Sequence, residues 1–359
     1  MKKAYLVLED GHVFEGERFG ADGETVGELV FNTGMVGYIE TLTDPCFYGQ
    51  IVMQTFPLIG NYGMIEEDTQ SDKCYLSGLV VREWCEEPSN FRSEGTIDEY
   101  LKKQNIVALC NVDTREITQI IREKGVMNAK IVDEVTDGIF DSVKEYKIVG
   151  AVKNTAKQEK KEIDCENTKL TAAVIDFGET RNIAENLSSL GCRTVILPYD
   201  TSAQEILASG FDGVVLSCGP GDPNELKEAV KETAELVGKL PVFGIGLGHQ
   251  VLALAMGGET EKLKFGHRGA NQPVKDLSNG KTYITSQNHG YAVKADSLKN
   301  KGEETFVSVN DGTNEGMNYP EYNAFSVQFH FEECSGPKNP ALLFEKFMGM
   351  MGEKNNAAE

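Results

Sequence analysis

Nowhere do apolar residues run for the roughly 20 positions that a membrane-spanning helix needs. The apolar start Tyr5-Leu6-Val7-Leu8 is cut short by Glu9-Asp10-Gly11 and does not resemble a signal peptide, so none is expected. Basic residues are scarce: 35 Lys and Arg stand against 56 Asp and Glu, a formal net charge of −21. That deficit argues against a nucleic-acid partner, since phosphate binding wants clustered cations. Eight cysteines contain no C-x-x-C pair, so no zinc site is expected and metal ligands are assigned to none. Internal repeats and a phosphate-binding loop are also missing. The expectation is a soluble, cytoplasmic protein with reduced thiols, no membrane contact and no nucleic acid.

What is present is a chain of 359 residues with 40 % apolar content, enough for two domains. Residues 1–150 are strand-rich. Tyr5-Leu6-Val7-Leu8 and His12-Val13-Phe14 flank a turn and predict a hairpin. Thr96 followed by Glu99 predicts a capped helix. Asp113 to Arg122 predicts an amphipathic helix with Ile117, Ile120 and Ile121 on one face. Residues 151–169 are charged and aperiodic and read as an exposed connection. From residue 170 strands alternate with helices: Ala172 to Asp176, Arg181 to Leu190, Arg193 to Leu197, Ala203 to Leu207, Gly213 to Leu216, Asn224 to Val237, then Pro241 to Gly244. Alternation of this kind predicts an α/β domain, an open and mostly parallel sheet with helices on both faces, over 170–352. Late strands are expected at Lys281 to Ser286 and Phe325 to His330, and a last helix from Pro340 to about Met350. Residues 353–359 read as a disordered tail.

Four stretches fall at strand ends, where open parallel sheets build their sites. Pro241-Val242-Phe243-Gly244-Ile245-Gly246-Leu247-Gly248-His249-Gln250 reads as a strand, a very tight turn and a helix. Such a turn presents a nucleophile in α/β enzymes, yet Gly246 at its apex has no side chain. Its N–H groups could serve an oxyanion, or the glycines could simply pack a connection. Ser217-Cys218-Gly219-Pro220-Gly221-Asp222-Pro223 is either a rigid N–H-presenting loop or a helix start. In Phe329-His330-Phe331-Glu332 the imidazole and carboxylate point to one side of an extended chain, as a base and its orienter do, or in a structural role. Ser286-Gln287-Asn288-His289-Gly290-Tyr291 offers polar groups to a substrate, or is a polar turn.

Together these stretches resemble the class I glutamine amidotransferases. In that family a Cys at the elbow attacks the glutamine side-chain amide, a His acts as base and a Glu orients it. The first 150 residues narrow the resemblance. Phe31-Asn32-Thr33-Gly34-Met35-Val36-Gly37-Tyr38, Leu42-Thr43-Asp44-Pro45, Ile59-Gly60-Asn61-Tyr62-Gly63 and Asp113-Thr114-Arg115 are similar to the small-chain family of carbamoyl phosphate synthetase. So are Phe265-Gly266-His267-Arg268-Gly269-Ala270-Asn271 and Gln287-Asn288-His289-Gly290-Tyr291. The resemblance implies His330 as base and Glu332 as its orienter. It implies a glutamine site lined by Cys46, Gly219, Gly221, Leu247, Gln250, Asn288, Gly290 and Tyr291, with Gly219 and Leu247 giving oxyanion N–H groups. It further implies a heterodimer with a large subunit that holds ATP and Mg, no cofactor in this chain, and a product that feeds pyrimidine and arginine synthesis.

The chain departs from that pattern at four positions. Gly246 stands at the nucleophile position, Cys218 replaces an Asn, Phe331 a Pro and Cys46 a Ser. Without a thiolate no thioester forms and His330 has no thiol to deprotonate. The sequence therefore predicts a small chain that has lost glutaminase activity. Alternatives are a structural or glutamine-sensing subunit of an ammonia-dependent synthetase, and a replacement thiol at Cys218 or Cys334.

Overall fold

The structure, a computed structural model, describes residues 2–178, 180–330 and 341–357. It divides into two compact units, Met1–Ala151 with Arg268–Ala270, and Val152–His267 with Asn271–Glu359.

In the first unit Lys2–Leu8 and Val13–Gly20 form the expected hairpin, with Leu6 opposite Phe14. Gly11 closes its turn at φ 100°, a conformation open to a residue without a Cβ. The sheet goes on through Val107–Cys110, Gly78–Val80, Gln50–Gln54, Thr25–Asn32 and Met127–Val132, which pairs back onto Lys2–Leu8 and closes a barrel. Strand register stacks the core: Val30 lies beside Val52, Val52 beside Leu79 and Leu79 beside Ala108. All four are buried. Both helices read from the sequence are present. Thr96 caps Ile97–Lys103 in a reciprocal capping box with Glu99. Asp113 caps Thr114–Lys124 by accepting from the N–H groups of Arg115 and Glu116. Ile117 and Ile121 are buried, and Ile120 is half-buried at the edge of that face.

The second unit is built on a ten-stranded sheet among the described residues. Its parallel centre runs Cys192–Pro198, Leu170–Asp176, Gly213–Leu216, Val242–Ile245, Ala324–Val327. Beyond it the sheet turns antiparallel through Asn314–Tyr319, Glu303–Ser308, Thr260–Asp276 and Thr282–Val293. Side chains of Val242–Ile245 alternate between two covered faces. Phe243 stacks on Phe325 at 4.3 Å and meets Phe344 and Phe347 of the helix Ala341–Ala357 edge-on or tilted. Gly244 faces the other way, where a Cβ would come within 2.6 Å of the Gly248 carbonyl oxygen of helix Leu247–Ala255. The parallel five-stranded centre with helices on both faces is thus as the alternation predicted, while the antiparallel strands on either side of it make the whole sheet mixed.

Several expectations are corrected in detail. The stretch 151–169 is not bare: Ala151–Thr155 is helical, Val152 and Ala156 join the core, and Lys161–Ile163 adds an antiparallel edge strand to Cys192–Pro198. Two buried apolar residues in a charged stretch are too few to show as periodicity. The last helix reaches Ala357, so 353–357 is helical where a disordered tail was expected. Gln287 to Tyr291 lies inside the long strand Thr282–Val293 and not in a turn after it. The strand Thr260–Asp276 has no counterpart in the sequence reading; the alternation Lys262-Leu263-Lys264-Phe265 at its start is short and gives way to Gly266-His267-Arg268-Gly269.

Candidate active site

Register brings the site together. Leu216 pairs with Gly244, and Ile245 pairs with Val327. The chain leaving these three parallel strands therefore delivers Cys218, Gly246 and His330 to one end of the sheet.

At the apex Gly246 adopts φ 57° and ψ −113°, a region almost closed to residues with a Cβ. Its N–H donates to the Val327 carbonyl at 2.9 Å, and its carbonyl accepts from the N–H of His249 at 3.1 Å. The turn is pinned from below by Gly248, whose N–H donates to the Ser217 carbonyl at 3.0 Å. A Cβ on Gly248 would lie 2.1 Å from the Leu216 carbonyl oxygen. A Cβ on Gly246 meets no such wall. It would sit 3.2 Å from Cys218 Cβ and 3.7 Å from His330 Cε1. The apex has the strained backbone of a nucleophile position, room for a side chain, and an imidazole beside that room.

His330 is buried, and its N–H donates to the Ser286 carbonyl at 2.8 Å. This bridge ties the residue to the strand that carries Asn288, Gly290 and Tyr291. Asn288 is buried, while Gly290 and Tyr291 are half-buried. Gln250, on the first turn of the elbow helix, donates from Nε2 to the Tyr291 carbonyl at 2.8 Å and to Gln328 Oε1 at 2.9 Å. Leu247 is the first residue of that helix, where a backbone N–H has no intrahelical acceptor. Gly219 lies against Phe177, whose carbonyl oxygen would be 2.2 Å from a Cβ, and Gly221 turns at φ 95°. Cys46 belongs to the first unit, where it is buried at the start of a short 3₁₀ turn and its N–H donates to Asp44 Oδ1 at 2.8 Å. Glu332, Phe331 and Cys334 lie outside the described residues.

Two further residues shape the site and were missed in the sequence. Ser217 is fully buried; its hydroxyl accepts from the Phe177 N–H at 2.9 Å and donates to the Cys218 carbonyl at 2.8 Å. Ser326 stands 2.8 Å from His249 Nδ1. Burial pushes His249 down to about 3, so this second histidine of the elbow is a neutral core residue rather than a base. Ser217 follows directly on the apolar strand Gly213–Leu216, whereas Ser326 lies inside Ala324–Val327, and neither position by itself tells what the hydroxyl meets. The Cys218 thiol is buried and lies 3.6 Å from the Gly178 carbonyl.

Residues 6–131 match the family described as carbamoyl-phosphate synthase small chain, CPSase domain, and residues 173–350 match glutamine amidotransferase class-I. A carbamoyl phosphate synthase small chain of Clostridium perfringens is 50 % identical over 348 residues, 96 % of this chain and 99 % of that one. The chain belongs to the carbamoyl phosphate synthase small-chain family. A second small chain of the family, from Oceanobacillus iheyensis, is 46 % identical over 98 % of this chain and 96 % of its own length. Among solved structures, a glutamine amidotransferase from Thermotoga maritima is similar over 53 % of this chain and 86 % of that chain, with 19 % identity and a TM-score of 0.38. Family membership carries with it the amidotransferase domain and a large-subunit partner. No helix among the described residues is long and apolar enough to cross a membrane.

Proposed function

We propose that this small chain does not hydrolyse glutamine, and that its synthase draws on free ammonia. The observation that carries the proposal is Gly246: its absent Cβ would stand 3.7 Å from His330 Cε1, so the base position is furnished and the thiol position is empty. Covalent catalysis needs a nucleophile within reach of its base, and a glycine supplies none. Cys218 is a poor substitute. Its thiol is directed toward the Gly178 carbonyl, and its own backbone lies in the loop that faces the elbow. In this reading the large subunit holds ATP and Mg and forms a heterodimer with this chain. Its carbamoyl phosphate serves pyrimidine and arginine synthesis. The chain supports the large subunit's assembly or conformation, and Gln250, Asn288 and Tyr291 leave glutamine a place to bind unreacted.

The test uses the purified complex with its large subunit. Carbamoyl phosphate is expected from ammonium and not from glutamine. Glutamine-driven synthesis by the unaltered complex would overturn the proposal. Gly246→Cys is expected to gain glutamine-driven synthesis, since the rest of the described site surrounds the missing sulfur.

A further inference from the structure

At the antiparallel end of the second unit, three buried side chains from three strands turn toward one point. Glu315 Oε1, on Asn314–Tyr319, lies 3.2 Å from His267 Nδ1 on Thr260–Asp276 and 3.9 Å from His289 Nε2 on Thr282–Val293. The three atoms all fall within 4.8 Å of one another. Zinc held at about 2.0–2.1 Å by nitrogen and oxygen ligands places neighbouring ligand atoms about 3.4 Å apart. The observed triangle needs only small side-chain shifts to reach that.

The outer contacts are those of a metal site. Histidine ligands nearly always present their other ring nitrogen to a carboxylate or carbonyl. His267 Nε2 is 2.8 Å from Asp311 Oδ2, and His289 Nδ1 is 2.8 Å from the Tyr291 carbonyl. Glu315 Oε2 accepts from Gln287 Nε2 at 3.0 Å. Asp311 is itself held by the Thr313 hydroxyl at 2.8 Å. Burial opposes a charged ring, but the Asp311 and Glu315 carboxylates raise His267 to about 9, so without an ion it bridges them as an imidazolium, and an ion at the cluster would take the place of its Nδ1 proton. Gln287 Oε1 adds another oxygen 3.1 Å from His289 Nε2. Two carboxylates, Glu315 and Asp311, match the charge of a divalent cation.

We propose that His267, His289 and Glu315 bind one zinc ion, with Gln287 Oε1 or a water in the fourth position. The ion would staple three strands and fix the strand carrying Asn288. The cysteine spacing gave no hint of it, because the ligands are two histidines and a glutamate scattered over 49 positions of sequence, from 267 to 315.

The full chain, stripped with a chelator, is titrated with Zn²⁺ and separately with Co²⁺. One equivalent is expected to bind, to raise the melting temperature, and with cobalt to give tetrahedral d–d bands without a thiolate charge-transfer band. Glu315→Gln and His267→Asn, checked for fold by circular dichroism, should weaken binding at least ~100-fold and abolish the thermal shift. Asp311→Asn should weaken it about 10- to 100-fold, as removal of an outer partner does. Absence of stoichiometric binding, or binding unchanged in a folded Glu315→Gln, overturns the proposal. So does a thiolate band, which would put the ion on cysteines. Should both variants fail to fold, the cobalt spectrum of the unaltered chain decides.

Discussion

Gly246 and Gly248 stand two residues apart on one turn and are glycine for different physical reasons. At 248 the Leu216 carbonyl leaves no space for a Cβ, and that carbonyl belongs to a central strand that cannot withdraw. At 246 no backbone atom blocks a Cβ, and the dihedral angles are the main obstacle. Gly248→Ala is therefore expected to lose more than ~4 kcal/mol in urea unfolding, or not to fold, as steric conflict with a fixed backbone does. Gly246→Cys is expected to lose about 1–3 kcal/mol, the cost of one residue held in a sparsely populated conformation. Cys218 Cβ, 3.2 Å away, must also give by a few tenths of an ångström. A stability–activity trade-off then becomes measurable at one position: the less stable variant is the one expected to use glutamine.

At the scale of elements, the short helix Tyr38–Thr43 carries Glu40 in its first turn. Burial pushes the Glu40 carboxyl up from 4.5 to about 6, and the neighbouring Asp68 charge adds to this while Arg92 opposes it. Because the folded-state pKa lies above the unfolded one, the stabilisation from the protonated form is present below about pH 4.5 and is lost as pH rises through about 6. The wild-type chain should lose on the order of 1–2 kcal/mol across that window relative to Glu40→Gln. Urea unfolding of both at pH 4.5 and 7 reads the difference directly. Elements whose signals are local were legible in the sequence: the Thr96–Glu99 capping box, the Asp113 cap and the hairpin at Gly11 all act within a few residues. Elements held by distant partners were not. Thr260–Asp276 is a strand because its neighbours pair with it, and Lys161–Ile163 is a strand because Cys192–Pro198 offers an edge.

At the scale of the whole molecule, the excess of 56 acidic over 35 basic residues acts on every unit at once. Self-repulsion of one sign disfavours the compact state and is screened by salt. The melting temperature is expected to rise between ~10 mM and ~150 mM NaCl, where the Debye length falls from about 30 to 8 Å. A melting temperature unchanged or lowered by salt would show that the charges are already paired locally. The candidate site was legible to a similar extent as the fold. Gly246 and His330 stood out because a glycine-dense elbow and a strand-end histidine are sequence features, and strand register places them side by side. Ser217, Ser326 and the Glu315 cluster were not legible, because their partners come from other strands and only the paired sheet shows them together.

The barrel of the first unit closes when Met127–Val132 pairs with Lys2–Leu8. A closed ring has no row of unsatisfied backbone groups. A partner cannot extend this barrel by adding a strand to its side, and neighbouring copies cannot zip onto it. Recognition of the barrel must then be read from side chains and loops, which single substitutions can alter one contact at a time without opening the fold.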